Sequence, residues 1–194
     1  MKMTRFEKRF VNSASHSRRV AEAVKERLPI VPYRARMTYL DIGCGNGSSA
    51  VNVASAYGFE VTGIDVDPEQ IRAAQEAVAG RVDVRFQVGD ATHLPFDAAE
   101  FDIVATNKTT HHISQWKMAL AEMVRVVKPG GWVIYGDLVV PRWLARLGES
   151  VAGGLAGFVT RADLDDFVHQ HGLTVVQQAA RSVSYEAVWR KPTA

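Results

Sequence analysis

This sequence predicts a doubly wound α/β fold, a mostly parallel sheet with helices on both faces, and three observations predict it. A short apolar run, Met37 to Ile42, passes straight into glycines at 43, 45 and 47, and a small-residue segment, Ser48 to Ala56, leads away. Runs with strand and helix periodicity then alternate, which favours parallel strands joined by helical crossovers. Two β-rich runs close the chain with no helix between them, the pattern of an antiparallel hairpin at the sheet edge.

Each element has its own signal. Val20, Val24 and Leu28 stand at helical spacing, and Pro29 and Pro32 close that segment. The first strand is about 37–42, followed by the glycine loop and a helix ending near Gly58. The second strand, Glu60 to Ile64, ends on Asp65. Asp67-Pro68-Glu69-Gln70 is a helix start: a capping acid, proline in the first turn and Gln three residues after the cap. That helix places Ile71, Ala74 and Val78 on one face and stops at Gly80. Val84, Phe86 and Val88 alternate as a third strand, and 101–106 reads as a fourth. Ser114 is the expected cap of a helix presenting Trp116, Leu120, Met123, Val124 and Val127, and 132–138 is the fifth strand. Thr160 and Asp163 form a second capping box before Leu164, Phe167 and Val168, with Gly172 just beyond. The closing strands are about 173–181 and 183–189.

Composition bounds the function. A chain of 194 residues with 47% hydrophobic content buries one substantial core. One Cys permits no intrachain disulfide, so a reducing, cytoplasmic setting is expected. No apolar run approaches the roughly 18 residues of a membrane span. The net charge of +2 is uneven, because residues 1–36 hold ten Lys/Arg against three Glu. That segment reads either as a solvated basic helix or as a helical cover, 1–36, over a core domain of 37–194. As a cover it would attract an anionic substrate, an acidic partner or a membrane surface.

Chemistry concentrates in Asp41-Ile42-Gly43-Cys44-Gly45-Asn46-Gly47 and in Asp65, eighteen positions beyond Gly47. Strand, glycine loop and helix in that order let a backbone pass close to a ligand. An acid at the end of the next strand accepts hydrogen bonds from ribose hydroxyls. Together they point to a nucleoside-containing cofactor. The dinucleotide fingerprint G-x-G-x-x-G would need glycine at 48, where this chain has Ser, and a carboxylate at 41 sits awkwardly beside a pyrophosphate. It suits an ammonium group instead.

The D-x-G-x-G-x-G pattern with its downstream acid resembles the class I S-adenosylmethionine-dependent methyltransferases. Three further segments resemble that family in the same order: Gly89-Asp90-Ala91-Thr92-His93-Leu94-Pro95-Phe96 its adenine-side segment, Phe101 to Asn107 its fourth strand, and Val124 to Gly131 its turn into the fifth. The match covers roughly residues 37–140. It implies a Rossmann-like seven-stranded sheet with one reversed strand, and S-adenosylmethionine as cofactor. By resemblance, Asp41 and the amides around Gly43, Gly45 and Asn46 would hold the methionine portion. Asp65 would take the ribose hydroxyls with Val66 beside the adenine, Asp90 and the Ala91 amide would meet the adenine edge, and Asn107 would lie near the amino-acid end and the methyl group.

A sulfonium already activates its methyl group, so the protein has mainly to align the reactants and exclude water. A general base is needed only where the acceptor must lose a proton. His111 or His112 after the fourth strand, or Asp137 at the end of the fifth, are the candidates; the histidines also read as loop residues packed against a lid. An adjacent His pair without a second spaced motif is a poor metal-ligand set, and no metal is expected. Cys44 reads as a small packed side chain. The apolar, glycine-punctuated stretch Val139 to Val159 reads either as a packed helix or as one wall of an acceptor pocket. No separate recognition domain is evident, which argues against a protein or nucleic-acid acceptor and favours a small, partly apolar metabolite. Two other readings remain at this level: a regulatory protein that binds the cofactor without catalysis, and a nicotinamide-dependent oxidoreductase.

Overall fold

The computed structural model describes residues 30–141, 145 and 159–193. Its strands are β1 (Thr38–Ile42), β2 (Glu60–Asp65), β3 (Val84–Val88), β4 (Phe101–Asn107), β5 (Val127–Leu138), β6 (Thr174–Arg181) and β7 (Ser184–Arg190). Between them lie α1 (Ser48–Tyr57), α2 (Pro68–Ala77), a 3-10 turn (Thr110–His112), α3 (Trp116–Val126) and α4 (Arg161–Gln170). The expected cover helix with Val20, Val24 and Leu28 lies outside the described residues, as does most of the stretch between Val139 and Val159.

The seven strands form one sheet in the order β3-β2-β1-β4-β5-β7-β6. The pairs β1–β2, β1–β4, β2–β3 and β4–β5 are parallel, while β7 runs antiparallel to both β5 and β6. The single reversed strand is thus the second arm of the terminal hairpin, inserted between β5 and β6.

Strand alternation divides the apolar side chains between two cores, one on each face. Tyr39, Ile103, Ala105, Trp132, Ile134 and Val188 pack under α1 and α2. Leu40, Ile42, Val104, Val133, Tyr135 and Trp189 pack under α3 and α4. α3 shows why a helix forms here: Trp116, Ala119, Leu120, Met123 and Val126 are buried at three- and four-residue spacing. Each large side chain so buried contributes about 1.5–3 kcal/mol.

Helix ends follow local chemistry with two corrections. Asp67 caps α2 by accepting from the Glu69 amide at 3.0 Å, but Gln70 does not complete a capping box, because it is buried with Oε1 unpartnered. α3 begins one residue later than expected, with Gln115 rather than Ser114 at the cap and no side-chain cap bond. Buried Trp116 sets that start, so tertiary packing overrides a capping preference. At α4 the Thr160–Asp163 capping box is complete.

Candidate functional site

Strand order reverses between β1 and β4, whose helices leave on opposite faces. A crevice therefore opens beyond their carboxyl ends, where open α/β sheets bind ligands. Ile42 pairs level with Thr106, so the glycine loop after β1 and Asn107 at the end of β4 share its mouth. Gly43 has φ +72°, and a Cβ there would run into the Thr109 side chain. At Gly45, φ +54°, a Cβ would point into open space with only Gln70 Oε1 near, at 3.9 Å. The loop is therefore locked on one side and bare on the other.

Four of its amides bond within the protein. Gly43 and Cys44 both donate to the Ile64 carbonyl at 2.9 Å, and Gly47 donates to the Cys44 carbonyl at 3.0 Å. Gly45 donates to Asp65 Oδ2 at 3.0 Å. The sequence reading expects the amides around Gly43 and Gly45 to hold a ligand; in the structure those of Gly43, Cys44 and Gly45 tie the loop to β2, and the glycines allow close approach. Asn46 is half-buried, its Oδ1 accepting from the Ser48 amide at 3.3 Å and hydroxyl at 2.8 Å, which organises the start of α1.

Two carboxylates lie behind the loop. Asp65 is buried, accepting from Gly45 through one oxygen and from the Asp67 amide through the other at 2.9 Å. Burial nevertheless pushes its pKa up, against those hydrogen bonds. Asp41 is buried too, and its Oδ2 has no partner among the described residues. Burial, reinforced by the Asp65 charge, pushes its pKa from 3.8 to about 7. Burial and the same two acids push the Cys44 thiol up as well, so it stays protonated.

Further along the crevice, the Gly89 amide donates to the Asp65 carbonyl at 3.0 Å, joining the ends of β2 and β3. Asp90 is exposed; its Oδ1 accepts from the Thr92 amide at 2.8 Å and hydroxyl at 2.7 Å. Those bonds hold its pKa below the usual carboxylate range. Ala91 is buried beside Leu94. Val66 and Val88 are 65% and 51% exposed, and Val88 stands opposite Asp65 in the β2–β3 register. Exposed valines thus stand at the ends of both β2 and β3.

On the other side, the turn after β4 rests on the loop. Thr109 Oγ1 donates to the carbonyls of Asn107 at 3.1 Å and Ile42 at 3.4 Å. Asn107 Nδ2 is buried without a partner among the described residues. The turn is organised by Asp137. Its Oδ2 accepts from the amides of Thr109 (3.1 Å), Thr110 (2.6 Å) and His111 (3.3 Å) and from the Thr110 hydroxyl (2.5 Å). Its Oδ1 meets the Leu138 amide at 2.7 Å and His111 Nδ1 at 2.5 Å. Tyr135 closes the network through its hydroxyl, 2.8 Å from Thr110 Oγ1. Burial works against the Asp137 charge, but His111 and Thr110 hold its pKa below the ordinary value. Its side chain is fully enclosed, while that of His111 is 24% exposed. Asp137 therefore cannot reach an acceptor. His112 is exposed, its ring 3.9 Å from that of His111.

The residues present fit S-adenosylmethionine on three counts. Asp41 Oδ2 is a buried acceptor without a donor, which an ammonium satisfies; Asn107 Nδ2 is a buried donor without an acceptor, which a carboxylate satisfies; Gly45 leaves bare the side on which a ligand would lie. Thr109, Thr110, Tyr135 and Gln70 were not foreseen from the sequence. The polar Thr-Thr pair directly before His111 was the available signal; nothing local marks the other two.

Residues 40–135 match the model of a family described as a methyltransferase domain. The chain is 34% identical over 162 residues to a 27-O-demethylrifamycin SV methyltransferase of Amycolatopsis mediterranei, covering 80% of this chain and 60% of that protein. It is 32% identical over 168 residues to an O-methyltransferase of Aspergillus nomiae, covering 82% of this chain and 72% of that one. The chain spans as little as 31% of the length of other methyltransferases it matches. Among solved structures, the Haemonchus contortus phosphoethanolamine N-methyltransferase 2 in complex with S-adenosyl-L-methionine superposes with a TM-score of 0.77 at 16% identity, over 96% of this chain and 60% of that one. That likeness concerns the fold.

Proposed function

Since the chain belongs to the S-adenosylmethionine-dependent methyltransferase family, we propose that it transfers the methyl group of S-adenosylmethionine to a small, partly apolar metabolite. The observation that carries the reading is the pair of unpartnered buried groups at the strand switch point, Asp41 Oδ2 and Asn107 Nδ2. An acceptor and a donor left bare beside a glycine loop complement the two charges of an amino-acid end group. Each unpartnered buried polar group costs about 1–3 kcal/mol, a cost that a zwitterionic ligand removes.

In this reading Asp41 binds the ammonium, Asn107 the carboxylate and Asp65 the ribose hydroxyls. Val66 and Val88 cover the adenine, and Asp90 with the Ala91 amide meets its edge. The sulfonium supplies an activated methyl group. The protein's own contribution is to align the acceptor and exclude water. Relatives named for rifamycin-type, hydroquinone and other small acceptors support a small metabolite as acceptor. Residues 1–36 are proposed to cover the site of a core formed by 37–194, with their positive excess facing an anionic acceptor or a membrane surface.

Titration calorimetry with S-adenosylhomocysteine and with NAD tests the cofactor. Tighter binding of S-adenosylhomocysteine is expected, and tighter NAD binding would overturn the reading. Release of S-adenosylhomocysteine during incubation with a metabolite panel tests transfer. Removing residues 1–28 is expected to weaken cofactor binding while lowering turnover much further.

A further inference from the structure

Asp137 meets six donors, and a carboxylate offers about four lone-pair sites. Four of the six come from the backbone, so the carboxylate is fixed by the fold and has nothing left for a ligand. An ionised carboxylate only accepts hydrogen bonds. The 2.5 Å contact between its Oδ1 and His111 Nδ1 therefore places the imidazole proton on Nδ1. In the neutral ring this leaves the lone pair on Nε2, and the side chain is 24% exposed. The turn carrying His111 is in turn clamped to the glycine loop through Thr109 Oγ1 and the Ile42 carbonyl. Asn107, whose Nδ2 lacks a partner, lies just before that turn. His111 is thus oriented through its Nδ1, keeps a part-exposed side chain, and stands on the turn that joins β4 to the glycine loop. An ammonium or thiolate binder has no use for such an arrangement; a group that must remove a proton does.

We propose that His111 is a catalytic base oriented by Asp137, and that the acceptor class is accordingly a hydroxyl compound, an alcohol, phenol or enol, methylated on oxygen. This rests on the methyl-transfer reading and narrows it. His111 Nε2 takes the hydroxyl proton as the oxygen's electron pair forms the bond to the methyl carbon, and the carbon–sulfur pair returns to sulfur, leaving a neutral thioether. The resulting imidazolium is stabilised by the Asp137 charge and passes its proton to solvent. Asp137 is a positioning residue, because it touches only His111 and the turn.

The test uses the full chain with two probe acceptors: tyramine, which carries a phenol and an amine, and 4-nitrothiophenol, already a thiolate at neutral pH. Binding of S-adenosylhomocysteine is measured first for every variant, and its absence in the unsubstituted protein would remove the methyl-transfer reading itself. Histidine nitrogen NMR of that complex is expected to show His111 protonated at Nδ1 and bare at Nε2, and Asp137→Asn to lose this preference. With tyramine, methylation on oxygen is expected. His111→Gln should lower its kcat by about 10²- to 10⁴-fold, a much larger loss than the same variant shows with the thiolate. Asp137→Asn should lower kcat more than it changes KM, and added imidazole should restore part of the tyramine activity of His111→Ala. Methylation on the amine, an Nε2-protonated tautomer, an equal fall with both probes, or no imidazole rescue would each overturn the proposal.

Discussion

Replacing Asp41 with Asn should make the ligand-free protein more stable and its cofactor binding worse, and the two effects should have different pH dependences. Asp41 is buried with one oxygen unpartnered, and burial with the Asp65 charge raises its pKa from 3.8 to about 7. An acid with a raised native pKa binds protons more tightly folded than unfolded, so its ionisation opposes folding. The cost is absent below pH 3.8, grows as pH rises, and is complete above pH 7. At about 1.4 kcal/mol per pH unit, the three-unit interval amounts to roughly 4 kcal/mol. Asn keeps the shape and removes the charge. Urea denaturation should therefore show Asp41→Asn more stable than the parent by up to about 4 kcal/mol at pH 8, with the gap narrowing towards pH 4. Cofactor binding should show the opposite sign. An ammonium beside Asp41 favours its ionised form, so losing that charge-assisted bond should cost about 1.5–3 kcal/mol, or roughly 10- to 150-fold in Kd for S-adenosylhomocysteine. The parent should also bind this ligand more weakly below pH 7, by up to about tenfold per unit, while Asp41→Asn binds with little pH dependence. Stability curves that stay parallel from pH 4 to 8, or undiminished binding by the variant, would refute the reasoning.

Asp65→Ala should weaken S-adenosylhomocysteine binding by about 1.5–3 kcal/mol by calorimetry. Because Asp65 accepts from the Gly45 and Asp67 amides, its loss should also lower ligand-free stability by about 1 kcal/mol or more. Gly43→Ala combines a positive φ with overlap against Thr109, so a loss above about 2 kcal/mol is expected, and unchanged urea stability would contradict the packing described. Thr160→Ala breaks the α4 capping box and should cost about 1 kcal/mol, or 2–4 °C in Tm, leaving cofactor affinity as it was.

What the sequence determined by itself is whatever depends on neighbours along the chain. Period-two runs such as Val84, Phe86 and Val88, helical spacing such as Ile71 and Ala74, and the Thr160–Asp163 box each encode an element through local sterics and hydrogen bonding, and β3, α2 and α4 lie there. The glycines at 43, 45 and 47 are legible for the same reason, since each has a positive φ that side chains rarely adopt. Tertiary structure decided what depends on distant groups. The loop amides are spent on Ile64 and Asp65, which lie on the next strand, so the glycines serve closeness rather than donation. Asp41 Oδ2 is buried on a strand set between β2 and β4, with no partner among the described residues, a matter of burial that no local pattern carries. His111 and Asp137 each stood out in the sequence. Only the pairing of β4 with β5 brings the two strand ends together, enclosing the carboxylate and leaving the histidine open, because charge and solvent access belong to the folded surface and not to the residue.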